Sequence, residues 1–335
     1  MPPELPELVR AFGLGQVHGG RHLPDGLMNR NWRIDTAGGS FALKMIVDVA
    51  AATARRNLTA LAPLAAAGFP VHTPVSGPTG DPVVEIGDQA FCLFPWIEGE
   101  HVPGNDLTMG QVRKLGVLLG RLHLRLNGPS VGLVPSQSAP PRPKTAKDAV
   151  AEADRLLTAI AETTAPDPFD LAAVEVLRDR RSLIVAQRDS RPADADPAFP
   201  SGWTHGDFTS SNLLWQSGEV SAILDWDRLR ARPFANEVAR AAILHFKADN
   251  GQLDLPRVTA FVEGYRSAAP MRADALADAV RRLWWHQVTN FWVLEFHYDR
   301  DDFASDHLLV PSENLYRWWS GNREAVESAF TCSLS

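Results

Sequence analysis

The chain has 335 residues, too long for one minimal core and suited to two lobes or domains. Hydrophobic residues make up 45% and charged residues 22%, the balance of an ordinary globular protein, and no stretch approaches the ~20 apolar residues of a membrane helix. The net charge of −7 argues against a general nucleic-acid binder.

In chain order, Met1 to Gly20 carries Glu4 and Glu7 and no long apolar run, so it does not read as a signal peptide, and the cytoplasm is the expected location. Asn31 to Asp35 alternates in polarity. Ala37-Gly38-Gly39-Ser40 is a hairpin signal, and Phe41 to Val47 is the returning strand. Ala50 to Ala67 reads as helix interrupted at Pro63, which lacks the N–H and clashes with the preceding turn. Val83 to Ile86 and Ala90 to Phe94 form the next strand pair. Pro95 to Gly104 reads as a linker, and Leu115, Leu118, Leu119, Leu122 and Leu126 then mark a helical stripe. Further helices are expected near 146–163, 168–188, 236–248, 255–267, 272–298 and 312–330. The Pro-rich loops 134–145 and 189–202 and the short strands and turns of 203–228 lie between them. The expectation is a small α+β lobe over 1–94, a linker over 95–104, and a larger, mostly helical lobe over 105–335. Cys92 and Cys332 are too few and too far apart for a disulfide framework or a zinc site.

The strongest chemical signal is His205-Gly206-Asp207-Phe208-Thr209-Ser210-Ser211-Asn212. Phosphoryl transfer needs a carboxylate to orient and deprotonate the accepting hydroxyl, and oxygen ligands for Mg²⁺ on the phosphates. An Asp and an Asn in D-x-x-x-x-N spacing let one tight loop supply both, with Asp207 as the base and Asn212 as a metal ligand. The alternative is an Asp/Asn-rich turn. Ala222-Ile223-Leu224-Asp225-Trp226-Asp227 follows as an apolar strand ending in carboxylates. Asn212 to Glu219 reads as a strand and hairpin turn that would return Asp225 beside Asn212 as a second metal ligand. Asp227 is left open between a supporting role at the metal or substrate and a plain surface acid.

H-G-D-x-x-x-x-N followed by I-L-D-W-D resembles the aminoglycoside phosphotransferase and choline/homoserine-kinase superfamily. The resemblance implies an α+β, bilobal protein-kinase-like fold with a small antiparallel-sheet N-lobe. It also implies Mg²⁺, with ATP or GTP as co-substrate. Gly26 to Trp32 resembles that superfamily's nucleotide loop, which makes Asn29 and Asn31 candidate nucleotide contacts. Lys44 matches the strand lysine that pairs with the α/β-phosphates. Phe94, Trp96 and Ile97 resemble the hinge whose backbone holds the base. His123 and His205 are expected to be structural. One departure stands out. That fold normally holds its strand lysine with a glutamate on the following helix, yet Val49 to Gly80 contains no acid, and Asn57 or Thr59 lies where one is expected.

The resemblance puts the acceptor pocket in the helical lobe. There, Trp284, Trp285 and Trp292 precede Glu295, Asp299, Asp301, Asp302 and Asp306, a set suited to a cationic or glycosidic ligand. The bland alternative is that the tryptophans pack a core and the acids solvate a loop. The leading expectation is an antibiotic-modifying kinase acting on an aminoglycoside-like, hydroxylated, cationic acceptor, with Asp227, Trp292, Glu295, Asp299 and Asp302 on the substrate side. The second is a metabolite kinase for homoserine, an amino alcohol or an amino sugar, and the third is a pseudokinase-like binding protein. Neither nucleic acid nor membrane is expected as a partner, and a monomer or dimer is expected.

Overall fold

A computed structural model describes residues 1–23, 29–77, 79–138, 141–194 and 199–331. Its first elements are α1 (Leu5–Phe12), β1 (Val17–Leu23), β2 (Arg30–Thr36), β3 (Gly39–Ile46), α2 (Ala51–Thr59), α3 (Leu61–Ala66), β4 (Val84–Ile86) and β5 (Gln89–Pro95). Then come α4 (Met109–Leu126), α5 (Ala146–Ala161), α6 (Pro168–Ala186), β6 (Ser201–Thr204), β7 (Leu213–Gln216), β8 (Glu219–Ile223) and β9 (Arg230–Pro233). The chain ends in α7 (Phe234–His245), α8 (Leu255–Ala268), α9 (Ala273–Thr289), α10 (Trp292–Arg300), α11 (Leu309–Gly321) and α12 (Arg323–Thr331). This is the expected α+β content. No described helix is long and apolar enough to cross a membrane.

By compactness the chain groups into two units. One holds Met1–Pro103, Arg121–Gln137 and Gly202–Ala231; the other holds Gly104–Gly120, Ser138–Ser201 and Arg232–Ser335. In the first, five antiparallel strands run in the order β1-β2-β3-β5-β4. Alternation along β3 separates two faces. Leu43 and Met45 point to a core made with Trp32, Ile34, Phe91 and Leu93, which α1 closes with Leu8 and Phe12. Lys44 points to the other face, where its cross-strand partners are Asn31 and Cys92. Burial pushes the Cys92 thiol up to about 12, so it stays a neutral packing group.

In the second unit Trp284, Trp285, Trp319, Tyr265, Phe246 and Phe261 are fully buried. Two helix starts are fastened locally: Thr145 caps α5, and Asp167 with Asp170 makes a capping box before Pro168 of α6. Backbones meet closely where α4 crosses α8. A Cβ on Gly116 would lie 2.0 Å from the Phe261 carbonyl oxygen, and one on Gly264 would lie 2.1 Å from that of Arg113.

Several elements depart from the expected ones. Helix α1 and strand β1 lie outside the expected elements: Leu5, Leu8, Val9 and Phe12 of α1 do recur at helical spacing, but over only eight residues, and β1 is mostly His, Gly and Arg with no alternation to mark it. The helix expected over 272–298 is two helices. Buried Arg180 donates from Nη1 to the carbonyls of Gln287 (2.9 Å) and Asn290 (3.0 Å), so the end of α9 is satisfied and Asn290 turns extended. The helix expected over 312–330 likewise breaks at Asn322, whose Nδ2 donates to the Trp318 carbonyl.

Candidate active site

The β7–β8 hairpin builds the site. Leu213 pairs with Ile223, and the Leu224 N–H donates to the Asn212 carbonyl at 2.8 Å, so Asp225 emerges beside Asn212. Asp225 has φ 58°, a left-handed conformation that Asp tolerates better than most side chains, and a 3-10 turn over Trp226–Arg228 follows it.

The loop before the hairpin is braced from beneath by His205, which is fully buried. Its Nδ1 accepts from the Asp207 N–H at 3.2 Å and its Nε2 lies 2.9 Å from the Leu224 carbonyl oxygen. These bonds assign the neutral tautomer with the proton on Nε2. His205 therefore ties the start of the Asp207 loop to the strand that delivers Asp225. Gly206, at φ +87°, passes so close to Arg228 that a Cβ there would meet its carbonyl oxygen at 2.1 Å. The Asn212 Nδ2 donates to the Asp207 carbonyl oxygen (2.9 Å) and to its Oδ2 (3.1 Å). Both donors of the amide thus turn toward Asp207, which leaves Oδ1 as the atom available to a cation.

Lys44 reaches this group from the sheet. Its Nζ lies 2.6 Å from Asp225 Oδ1 and 2.7 Å from Asp227 Oδ2. Burial works against its charge, but the two carboxylates outweigh burial and hold the ammonium above the ordinary lysine range. Burial likewise pushes the Asp225 carboxyl upward, and the Lys44 charge and hydrogen bond pull it below the usual carboxylate range.

Two asparagines complete the arrangement. The Asn29 Nδ2 donates to Asp227 Oδ2 at 2.9 Å, while its Oδ1 accepts from the Val47 N–H at 2.9 Å. The Asn57 Nδ2 donates to the carbonyls of Trp226 (3.0 Å) and Asp227 (2.9 Å). The position expected to hold an acid therefore carries an amide that fastens the turn and does not face Lys44. Spacing could not reveal this, although D-W-D in the sequence did show two carboxylates able to share one side.

Of the other candidates, Asn31 lies opposite Lys44 in the β2–β3 register. Phe94 pairs with Ala42, so it shares the Lys44 face. The Trp96 N–H donates to the Ser40 carbonyl, the Arg33 guanidinium lies 4.6 Å from its ring, and Ile97 is half-buried. Gly26, Leu27 and Met28 of the nucleotide-loop reading lie outside the described residues, as does Cys332.

The acid-rich segment belongs to the second unit, where several of its charges already have local partners. Asp299 takes two hydrogen bonds from Arg155, both at 2.8 Å, which hold its carboxyl below the usual range. Asp306 pairs with His297 Nδ1 at 2.9 Å, and Asp302 accepts from the Ala304 N–H. Glu295 and Trp292 are half-buried on α10, and the Trp292 ring meets Phe296 edge-on.

The constellation Asp207, Asn212, Asp225 and Lys44 presents a carboxylate, an amide oxygen, a second carboxylate and an ammonium on adjoining elements. Among the described residues no three His, Cys, Asp or Glu gather as a metal cage. The donors that the loop and hairpin do offer, an amide oxygen and a carboxylate, are hard oxygen ligands of the kind Mg²⁺ takes alongside phosphate and water.

The chain is similar to several known kinases. A homoserine kinase of Neisseria meningitidis serogroup B is 22% identical over 320 residues, covering 94% of each chain. Among solved structures, an amicoumacin kinase in complex with AMP-PNP and Ca²⁺ superposes with a TM-score of 0.61 at 17% identity, covering 97% of this chain and 92% of that one. A microcompartment-associated aminopropanol kinase superposes with a TM-score of 0.60 at 16% identity, covering 99% and 100%. At these identities the structural neighbours establish the protein-kinase-like fold. The model of the APH phosphotransferase enzyme family matches residues 19–276. The chain belongs to that family and is a small-molecule kinase, a nucleotide-dependent phosphotransferase with a hydroxyl acceptor.

Proposed function

We propose that the chain transfers the γ-phosphoryl group of ATP to the hydroxyl of a small, amine-bearing acceptor, with Asp207 as the base. The observation that carries this reading is the convergence on one turn of the Asp207–Asn212 pair and the Lys44–Asp225 pair. Asp207 orients the acceptor hydroxyl and takes its proton as the oxygen–phosphorus bond forms and the bond to the β-phosphate oxygen breaks. Lys44 holds the α/β-phosphates and offsets the charge that moves onto the leaving diphosphate. Asn212 Oδ1 and Asp225 would hold Mg²⁺, which when bound neutralises charge on the β- and γ-phosphates. Asn29, Asn31 and the hinge residues Phe94, Trp96 and Ile97 would line the nucleotide side.

Homoserine or a similar amino alcohol is the first acceptor class, because the Neisseria relative and a second one from Polaromonas naphthalenivorans, 22% identical over 312 residues, are homoserine kinases. An antibiotic natural product is the second reading, favoured by the aromatic and acidic residues of α10, Trp292 and Glu295 above all. ADP release measured with ATP and with GTP tests both, across homoserine, aminopropanol, choline, spectinomycin and a set of aminoglycosides. Acceptor-dependent turnover with one class selects it. Nucleotide binding without turnover on any of these acceptors would overturn both acceptor readings.

A further inference from the structure

We propose that Asp227 is the positioning residue for Lys44, doing from the end of the β8 turn what a glutamate on the helix after the strand does in other kinases. The inference rests on the reading of Lys44 as the phosphate-binding lysine. In protein kinases that lysine must be paired with a helix glutamate for the site to work. Here the segment after β3, Val49 to Gly80, has no acid, and buried Asn57 on α2 spends its amide on the carbonyls of Trp226 and Asp227. The carboxylates bonded to the Lys44 ammonium are Asp225 and Asp227.

The two acids are not equivalent. The Asp225 side chain is 33% exposed, whereas that of Asp227 is 6% exposed. Asp227 Oδ2 also accepts from Asn29, which is itself anchored to the Val47 N–H at the end of β3. The Asp227 carbonyl is held by Asn57. Asp227 is thus fastened through the start of β2, through α2 and through Lys44, and it cannot turn away without stranding buried polar groups. Asp225, at the rim, can. A carboxylate that turns to a cation loosens its hold on the lysine, and weakening a buried pair is costly when it leaves a charge uncompensated. Asp227 removes that cost. It keeps the ammonium in place while Asp225 changes partner, so one acid orients the lysine and the other serves the metal.

The test is calorimetry of AMP-PNP binding as Mg²⁺ is varied, with the wild type, Asp227→Asn and the milder Asn29→Ala. In Asp227→Asn the metal-free Kd should stay within about threefold, while the Mg²⁺ concentration for half-maximal binding rises about tenfold, or about 1.4 kcal/mol. Asn29→Ala should shift it in the same direction by less. A merely structural role would lower the Tm and leave the Mg²⁺ half-saturation unmoved, and that result in Asp227→Asn overturns the inference. If Asp227→Asn does not fold, unchanged Mg²⁺ dependence in Asn29→Ala overturns it. A wild type that binds no AMP-PNP overturns the kinase reading and this inference together, and is distinct from either variant result.

Discussion

Placing an acid at position 57 separates two accounts of the Lys44 partner. If Asn57 were a weak substitute for the missing helix glutamate, Asn57→Asp would restore a natural ion pair and cost nothing. The structure predicts the reverse. The Asn57 side chain is 1% exposed, and its Nδ2 makes two hydrogen bonds to the carbonyls of Trp226 and Asp227. Replacing that NH₂ by a carboxylate oxygen removes both, at about 1 kcal/mol each, and sets an unpaired acceptor against two carbonyl oxygens for roughly 1–3 kcal/mol more. Arg56 already bonds the retained oxygen, Nη2 at 2.8 Å, so the new charge recovers about 1 kcal/mol at most there. The net loss is about 2–4 kcal/mol. It should show in urea unfolding followed by tryptophan fluorescence, together with weaker Mg-nucleotide binding, because the turn carrying Asp225 and Asp227 shifts. Asn57→Ala, which adds no charge, should lose about 2 kcal/mol for the same two bonds. An Asn57→Asp protein as stable as wild type, with undiminished nucleotide affinity, would refute the placement of this amide.

Asp207→Asn should lower kcat by about 10²–10⁴-fold while the Mg-nucleotide Kd stays near wild type, since a general base acts on the hydroxyl proton; a kcat within threefold of wild type removes Asp207 from that role. Gly206→Ala must move backbone, because the new Cβ would lie 2.1 Å from the Arg228 carbonyl oxygen at φ +87°. A loss of roughly 2–6 kcal/mol, from strain plus overpacking, should appear in thermal unfolding, with kcat falling as the loop shifts. Finally, burial, with the nearby positive charges of Lys144 and Arg240, holds the His286 pKa below its ordinary value. The unfolded chain then binds this proton more readily than the folded one, so stability is full above about pH 6.5 and declines as pH falls toward the depressed pKa. His286→Gln should flatten the Tm difference between pH 5.5 and 7.5, and an unchanged difference would show that His286 does not drive it.

The local geometry of the candidate site was legible because it is written in contiguous stretches. H-G-D-x-x-x-x-N places Asp207 and Asn212 on one short loop, and their bond at 3.1 Å follows from that spacing. The apolar run ending in Asp225 announces a strand, and a hairpin of fixed register returns it to Asn212. Leu43-Lys44-Met45 sets Lys44 on the face opposite the core through the period of two alone. Contacts between distant segments were not legible. Asn29 meets Asp227 across 198 positions, and Asn57 meets its carbonyl across 170, and neither amide differs in sequence from one facing water. The same holds for Arg180, which ends α9 from a helix 107 residues earlier and so splits a pattern that reads as continuous. Periodicity and short motifs report what a segment does with its neighbours in sequence. Which buried polar group satisfies which carbonyl is settled when the segments pack, because the cost of leaving either unpaired arises only once water is excluded.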